Sequence, residues 1–296
     1  MLDGALRVRW SHEARESVYG LDWLRAHAYA LGRIEVPPPP CDLLAITLHR
    51  DGRPWDAVVA EALVRVRRDG AVCVRRGPSE AAPEDETETL VLAFEALGLT
   101  VIPTHFGRIE DLRTDNTTNA HTDQLGYTDS AIDLHTDQPF LDHPPRFQML
   151  QSIRAADTGG DNALCDARAA LGHLDSLDAE AGRLLRTVPV RFHRRQQAFE
   201  RVVESPVIAR DGGDEFLVRS SYFTVAPYAL PFAEMEGWYR AHDRFLRILR
   251  DPANQYRLAL EPGDWLLYDN HRMLHARTAF RGGRWVRGVY FDPART

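Results

Sequence analysis

The sequence is poor in cysteine, has no excess of positive charge and lacks any long apolar run. Its three cysteines, Cys41, Cys73 and Cys165, form no C-x-x-C pair, so we expect neither a disulfide framework nor a cysteine zinc site. Acidic residues outnumber basic ones by 43 to 36, and no basic stripe is present to neutralise phosphates. No stretch approaches the roughly 18 apolar residues that a membrane helix needs. We therefore expect a cytoplasmic protein whose partners include neither nucleic acid nor a membrane.

A run of four prolines at 37–40 is the clearest break in the chain. Prolines cannot donate backbone hydrogen bonds and favour an extended polyproline conformation, which suits a spacer. A chain of 296 residues is long enough for one sizeable domain and a small appendage. We therefore predict a small N-terminal segment over 1–36, a linker over 37–53 and a main domain over 54–296.

Short apolar runs between proline and glycine turns recur in the second half of the chain. Their lengths suit buried strands, which we predict over residues 147–153, 163–165, 188–192, 216–218, 265–268 and 285–291. Helical spacing of apolar residues predicts helices over 55–68, 89–97, 167–185 and 231–249. A strand is also predicted over 71–74 and a long polar loop over 104–133. The pattern favours a mainly β fold with flanking helices, either a β-sandwich or a jelly roll.

Histidine and aspartate occur together in several His-x-Asp triplets, among them those that begin at His121, His135 and His173. Roughly one or two such triplets arise by composition alone, so the pattern is weak without context. The triplet at His173 lies in a predicted helix and fits a polar surface pair. His121 lies in a polar stretch typical of a loop, whereas His135 and Asp137 follow an alternating segment that can end a strand. We therefore favour His135 and Asp137 as metal ligands.

A third metal ligand must come from elsewhere in the chain, because one histidine and one carboxylate bind a transition metal weakly. Either His271 or His275 could supply it. His275 is favoured because Arg284, nine residues further on, would add an anion anchor. Two imidazoles and a carboxylate on one face of a metal leave adjacent positions open, as in non-haem Fe(II) oxygenases. The spacing alone also allows an alternative in which both histidines belong to the core and Asp137 to a turn.

Two blocks around these residues resemble the taurine dioxygenase superfamily, and within it the γ-butyrobetaine hydroxylase branch. The first block is Leu-His-Thr-Asp-Gln-Pro-Phe at 134–140. The second is Tyr-Asp-Asn-His-Arg-Met-Leu-His-Ala-Arg-Thr-Ala-Phe at 268–280, with Arg284 after it. The similarity covers about residues 54–292. It identifies the jelly roll as a double-stranded β-helix core.

The resemblance implies an oxidoreductase that holds Fe(II) through His135, Asp137 and His275. Such a dioxygenase consumes the cosubstrates 2-oxoglutarate and O2, releases succinate and CO2, and hydroxylates an unactivated carbon of a small molecule. The segment over 1–36 is similar to the tail of a small zinc-binding domain in this branch. The zinc-binding cysteines of that domain have no counterpart here, so we expect a truncated remnant and no zinc.

The distal carboxylate of 2-oxoglutarate needs a partner that is always charged. Arg284 matches the family's anchor, with Arg277 and Arg287 as competing candidates. Asn162 stands where relatives use a hydroxyl residue to bind the cosubstrate, and its amide can donate the same hydrogen bond.

The resemblance also indicates residues for the organic substrate. Candidate contacts are Phe106, Glu110, Tyr127 and Tyr290 at the positions of an aromatic cage for quaternary ammonium, Gln124 in the same loop, and Tyr222 with Phe223 on another strand. Glu110 replaces a tryptophan of the cage and could pair with a primary or secondary ammonium. We therefore expect a cationic or zwitterionic substrate resembling a betaine or an amino acid.

Other functions fit parts of the pattern. A member of the same superfamily could oxidise a sulfonate, a phosphonate or a natural-product intermediate, and a jelly roll without turnover could act as a binding protein. A zinc hydrolase is a third alternative, because His271 and His275 are four residues apart, but no Glu follows His271 as the metalloprotease helix motif requires. A small molecule is the expected partner, with a homodimer as one candidate assembly.

Overall fold

The computed structural model describes residues 4–10, 15–27, 42–104, 107–113, 125–196, 199–211, 215–226 and 230–294. Its helices are α1 Leu21–His27, α2 Leu43–Ile46, α3 Trp55–Asp69, α4 Pro83–Ala96, α5 Ala167–Leu177, α6 Ala179–Thr187 and α7 Phe232–Arg250. Among these residues, no helix is both long and apolar enough to cross a membrane.

Within the described residues, twenty strands accompany the helices, and most are shorter than six residues. They are β1 Ala5–Arg9, β2 Glu16–Gly20, β3 Thr47–His49, β4 Ala71–Arg75, β5 Leu99–Val101, β6 Glu110–Arg113, β7 Ile132–His135, β8 Phe147–Arg154, β9 Thr158–Gly159, β10 Asn162–Asp166, β11 Val190–Gln196, β12 Phe199–Ser205, β13 Ile208–Asp211, β14 Glu215–Val218, β15 Val225–Ala226, β16 Gln255–Leu258, β17 Trp265–Asp269, β18 Met273–Arg277, β19 Phe280–Arg281 and β20 Trp285–Pro293.

Two sheets form the jelly roll that the sequence predicts. The larger has seven strands in the order β3-β4-β17-β8-β20-β5, with β6 pairing along the other half of β20. The smaller has four strands in the order β16-β10-β18-β7. All pairs in both sheets are antiparallel except β3 and β4. Apolar side chains from the facing sides of the two sheets pack together, among them Leu266 and Leu164. The mainly β fold with a jelly-roll core is therefore confirmed.

Alternation along the strands decides which side chains face the space between the sheets. In β17, Trp265 and Leu267 point outward to the helices, whereas Leu266 and Tyr268 point inward. Both faces of this strand are buried, which explains its unbroken apolar sequence. The same period of two in β20 places Val286 inside and Val289 outside. Residues on the inner faces are therefore available to form a cavity.

Helices α3 and α4 cover the outer face of the larger sheet. Their apolar faces join one core cluster with strands β4, β8, β17 and β20. At its centre, the ring of Phe94 lies 5.8 Å from that of Trp265 and 4.9 Å from that of Phe291. Helix α3 ends at Gly70, whose φ of 87° is the left-handed conformation that favours glycine at this position.

Helices α5, α6 and α7 cover the outer face of the smaller sheet. The sequence predicts one helix over 167–185, but the structure has two, because the helix stops at Asp178. The Asp178 carboxylate accepts a hydrogen bond from the Ala181 backbone N–H at 3.0 Å and so caps α6. Helix α7 packs Trp238 and Phe245 into the same core.

Three further predictions differ from the structure or lie outside it. Helix α4 begins at Pro83 instead of residue 89, because proline suits the first helical turn. The predicted loop over 104–133 contains β6, whose four residues show no apolar alternation, and the start of β7, whose alternating segment the sequence had indicated as a strand end. Strand β3 pairs with β4 although the sequence placed it in the linker. The proposed domain boundaries otherwise stay predictions, since 28–41 are not among the described residues.

Replacing Phe94 by alanine should lower the free energy of unfolding by about 3–5 kcal/mol, because it leaves a cavity between α4 and the larger sheet. Leu92 on the same helix is 55% exposed, so Leu92→Ala should change stability by less than about 0.5 kcal/mol. Urea unfolding of both variants measures the difference. Equal losses would show that α4 does not hold the core described above.

Candidate metal centre and ligand cavity

The two candidate histidines lie opposite each other on adjacent strands. In the antiparallel pair of β7 and β18, His275 is in register with His135. Their ring centroids are 4.1 Å apart. The residues are 140 apart in sequence, so only this strand pairing brings the imidazoles together.

Asp137 completes the cluster from the turn that follows β7. One of its carboxylate oxygens lies 3.4 Å from His135 Nε2 and the other lies 3.8 Å from His275 Nε2. One donor atom from each of the three residues lies within 4.8 Å of the others. A single ion can therefore contact all three side chains.

Neighbouring groups fix the orientation of Asp137. Its backbone N–H donates to Asn270 Oδ1 at 2.8 Å, and Asn270 Nδ2 donates to the carbonyl of Asp137 at 3.1 Å. The Tyr290 hydroxyl donates to Asp137 Oδ2 at 2.7 Å. Partners of this kind keep a metal ligand in place before the ion arrives.

The protonation states suit a divalent cation. His135 Nδ1 lies 2.9 Å from the carbonyl of Asp133, which can only accept, so Nδ1 carries a proton and Nε2 is the ring nitrogen that faces Asp137. Burial, together with the nearby His135, lowers the pKa of His275 to about 3. Burial alone would raise the pKa of Asp137, but the two histidines and the Tyr290 hydroxyl hold it well below its usual range. Two imidazoles and one carboxylate are thus placed to bind a metal.

The competing histidines have other positions. His271 is buried with Nε2 2.9 Å from the carbonyl of Pro144, and it is not part of the cluster. His173 lies on α5, where Asp175 of its triplet pairs with Arg186. His121 lies outside the described residues.

A cavity of about 130 Å³ opens beside the three residues. Apolar side chains from both sheets form part of its wall, and the polar side chains that line it with them are Glu110, His135, Asp137, Gln148, Asn162, Arg194, His275, Arg277, Arg284 and Tyr290. Gln148 accepts a hydrogen bond from the Tyr268 hydroxyl. The cavity is therefore a partly open pocket that presents polar groups beside the cluster.

Arg284 is a buried cation in this cavity. Only 9% of the residue is exposed, and no carboxylate forms an ion pair with it within the part of the chain that the structure describes. Burial, with Arg277 nearby, lowers its pKa to about 10, so it stays protonated at neutral pH. The Nδ2 of Asn162, which lines the same cavity, is buried and has no hydrogen-bond partner among the described residues. Unpaired buried donors of this kind indicate a site for an anion.

The other two arginines considered as anchors are occupied by the protein itself. Arg277 donates to the carbonyls of Thr128 at 2.7 Å and Ser130 at 2.6 Å, and so holds the end of the loop before β7. Burial lowers its pKa to about 10. Arg287 lies on the outer face of β20, where it pairs with Asp111 at 3.1 Å. Of the three arginines, Arg284 is therefore the best placed to bind a ligand.

The predicted substrate contacts divide into three groups. Glu110 and Tyr290 line the cavity, and the Tyr127 hydroxyl donates to Glu110 Oε1 at 3.1 Å. Tyr222 is 49% exposed and lines a neighbouring groove, while Phe223 beside it faces the cavity. Phe106 and Gln124 lie outside the described residues.

Sequence reasoning missed Asn270, Gln148 and Arg194. Asn270 lies inside the block at 268–280, and Gln148 lies next to the start of a predicted strand. Both therefore lay in segments that the sequence indicated, but neither was given a role. Arg194 on β11 had no signal at all, because its strand is distant in sequence from every motif. Its place in the cavity depends on the third sheet, in which β11 lies between β12 and β15.

Comparisons with known proteins show what this chain is similar to. The family model described as taurine catabolism dioxygenase TauD, TfdA family matches residues 48–290. A γ-butyrobetaine dioxygenase of Pseudomonas sp. (strain AK-1) is 30% identical over 303 residues, covering 98% of this chain and 76% of the relative. A trimethyllysine dioxygenase of Meyerozyma guilliermondii is 25% identical, covering 97% and 76%. A solved taurine dioxygenase from Burkholderia xenovorans has the same fold, with a TM-score of 0.61 at 15% identity, covering 86% and 89% of the two chains.

Removing one imidazole should abolish tight metal binding. We expect His275→Ala to weaken Fe(II) affinity by at least about 100-fold, because a direct ligand matters more than the outer partners that tune it. His173→Ala, in the triplet on α5, should leave the affinity unchanged. Anaerobic equilibrium dialysis measures both constants. Similar affinities in the two variants would exclude the cluster as the metal site.

Proposed function

The chain belongs to the taurine catabolism dioxygenase TauD, TfdA family, and we propose that His135, Asp137 and His275 are the ligands of its Fe(II). It is a 2-oxoglutarate-dependent dioxygenase of the γ-butyrobetaine hydroxylase-like branch. The observation that carries the proposed ligands is the convergence of two imidazoles and one carboxylate on a single point. Bound there, Fe(II) supplies the oxidation of 2-oxoglutarate by O2 to succinate and CO2, coupled to hydroxylation of a C–H bond.

Arg284 is proposed to bind the distal carboxylate of 2-oxoglutarate. Its guanidinium is buried, charged at neutral pH and free of an ion pair within the described residues. An arginine can donate two parallel hydrogen bonds to a carboxylate, which fixes the cosubstrate's direction as well as its position. The Asn162 amide supplies a further donor from the strand beside β18. Together they are proposed to orient 2-oxoglutarate beside the metal ligands of the smaller sheet.

The other residues of the cavity are proposed to position the organic substrate. Leu150 and Val286 give the wall an apolar surface that excludes water from the reacting carbon. Glu110 adds a negative charge, so the substrate we propose is a small cation or zwitterion. Relatives named for γ-butyrobetaine and trimethyllysine support this class. Tyr290 is proposed to have two roles. Its ring contacts the substrate, and its hydroxyl orients Asp137.

The cellular setting is also a proposal. Cys73 is buried as a free thiol. Thiols that stay reduced are typical of the cytoplasm, and we propose that location. Assembly as a homodimer is a separate proposal, which sedimentation analysis can test.

Purified protein given Fe(II), 2-oxoglutarate and O2 should release succinate, and an accepted substrate should increase the rate. The control is His135→Ala, which removes a ligand from the end of β7 and should abolish turnover while leaving the circular dichroism spectrum unchanged. Succinate can be quantified by chromatography across a panel of betaines and amino acids. Iron binding without any decarboxylation across that panel would support a binding protein instead.

Replacing Arg284 by methionine should raise the KM for 2-oxoglutarate by about 10- to 100-fold, because a charge-assisted pair contributes about 1.5–3 kcal/mol. Fe(II) affinity should change little, since the guanidinium contacts no metal ligand. Arg281→Met removes an exposed arginine nearby and serves as the matched control. An unchanged KM in Arg284→Met would indicate that Arg277, and not Arg284, binds the distal carboxylate.

A further inference from the structure

The side chain of Arg284 must be held in place if it is to bind a carboxylate tightly. Arg284 lies in the turn between β19 and β20, directly before β20 begins at Trp285. An arginine side chain has several rotatable bonds, and fixing them only when a ligand arrives costs conformational entropy and weakens binding. No hydrogen bond to a protein group holds the Arg284 guanidinium within the described residues. Packing contacts must therefore set its position.

The aromatic ring of Phe280 lies beside two buried guanidinium groups. The guanidinium carbon of Arg284 is 5.5 Å from the ring centre, and that of Arg277 is 4.9 Å from it. Only 6% of Phe280 is exposed. The face of an aromatic ring attracts a cation, and the attraction grows where water is excluded. The ring therefore offsets part of the repulsion between the two arginines and favours the position in which Arg284 lies over it.

The backbone of Phe280 is fixed by two neighbouring segments. Its N–H donates to the carbonyl of Asp129 at 3.0 Å. Phe280 is also in register with Gly159, where β19 pairs with β9. These contacts hold the residue independently of Arg284, so the ring can serve as a fixed surface for the guanidinium.

The absence of a side chain at Gly160 leaves room for the stem of Arg284. A Cβ added to Gly160 would lie 3.3 Å from both Cδ and Nε of Arg284 and 3.5 Å from Cβ of Phe280. Carbon atoms in favourable contact are about 3.5–4.0 Å apart, so even a methyl group would push the stem from its position. The φ of Gly160 is 79°, which also favours glycine.

We propose that Phe280 and Gly160 are positioning residues for 2-oxoglutarate. Phe280 attracts the guanidinium of Arg284, and Gly160 lets the stem of that arginine lie against bare backbone. Neither residue lines the cavity, so both act through Arg284 and not by contact with the cosubstrate. The proposal rests on the dioxygenase function above and on the assignment of the distal carboxylate to Arg284.

Two probes distinguish this role from a general loss of stability. 2-Oxoglutarate carries a distal carboxylate, whereas pyruvate shares its keto-acid end and lacks that carboxylate. Calorimetric titration of each compound into anaerobic protein loaded with Fe(II) measures affinity without turnover. Because Arg284 is assigned to the distal carboxylate alone, displacing it should weaken the binding of 2-oxoglutarate and leave that of pyruvate unchanged.

Phe280→Leu keeps an apolar side chain but removes the aromatic face. We expect it to raise the Kd of 2-oxoglutarate by about 3- to 30-fold, which corresponds to the loss of a buried cation–π contact. The affinities for pyruvate and Fe(II) should not change. The matched control is Phe216→Leu, because the ring centre of Phe216 lies 5.1 Å from the guanidinium carbon of Arg168 and neither residue lines the cavity. It should leave all three affinities unchanged.

Gly160→Ala tests the space for the stem. We expect the Kd of 2-oxoglutarate to rise by at least about threefold, because the added methyl group overpacks the contact with Arg284. Pyruvate and Fe(II) should bind as before. The control is Gly98→Ala: Gly98 has a φ of 85°, and no atom of the described residues lies within 4 Å of a Cβ added there. It therefore introduces similar backbone strain without the contact.

A variant of Phe280 or Gly160 that binds 2-oxoglutarate as tightly as the unchanged protein would exclude that residue from the positioning role. A variant that weakens pyruvate and 2-oxoglutarate equally would exclude it as well. If Phe280→Leu does not fold, the comparison of Gly160→Ala with Gly98→Ala decides. A different pattern would contradict the proposed anchor itself, namely an Arg284→Met variant that still prefers 2-oxoglutarate over pyruvate.

Discussion

The pairing of β7 with β18 is the interaction on which the rest of the site depends. It places His275 opposite His135 at the end of a strand, and the next turn brings Asp137 to the same point. Neither strand could hold this geometry alone, because each is at most five residues long. Their position is fixed by helices α5 to α7 on the outside and by the larger sheet across the cavity. The packing of both sheets therefore makes the proposed metal centre rigid.

Support for the metal ligands extends from both sheets. Asn270, in the turn between β17 and β18, clamps the backbone of Asp137 from one side, and Tyr290 on β20 holds its carboxylate from the other. Burial keeps His275 neutral, which an imidazole needs to bind a cation. The apolar wall that produces this burial also lowers the pKa of Arg284 without neutralising it. The exclusion of water thus has two effects: it prepares a cation site at His275 and an anion site at Arg284.

Much of the fold was predictable from short-range patterns in the sequence. The apolar runs that became β8, β17 and β20 were recognisable because strands buried on both faces read as continuous hydrophobic sequence. The start of α4 and strand β6 were missed, because acidic first turns and four-residue strands leave weak signals. The resemblance to the γ-butyrobetaine hydroxylase branch is confirmed by the relatives, and it strengthened the choice of His275 over His271 that the nearby Arg284 had favoured.

Local sequence was sufficient to indicate which residue types could bind metal and cosubstrate, since ligands such as His135 and Asp137 lie within one motif, and Arg284 follows another. It could not indicate that Arg194 enters the same cavity as Glu110, or that Arg277 and Arg287 are occupied elsewhere. Those facts depend on the inward or outward direction of each side chain and on which strands become neighbours. Side-chain direction and strand neighbours are both set by long-range pairing and by burial of apolar surface, so the residues nearby in sequence do not indicate them.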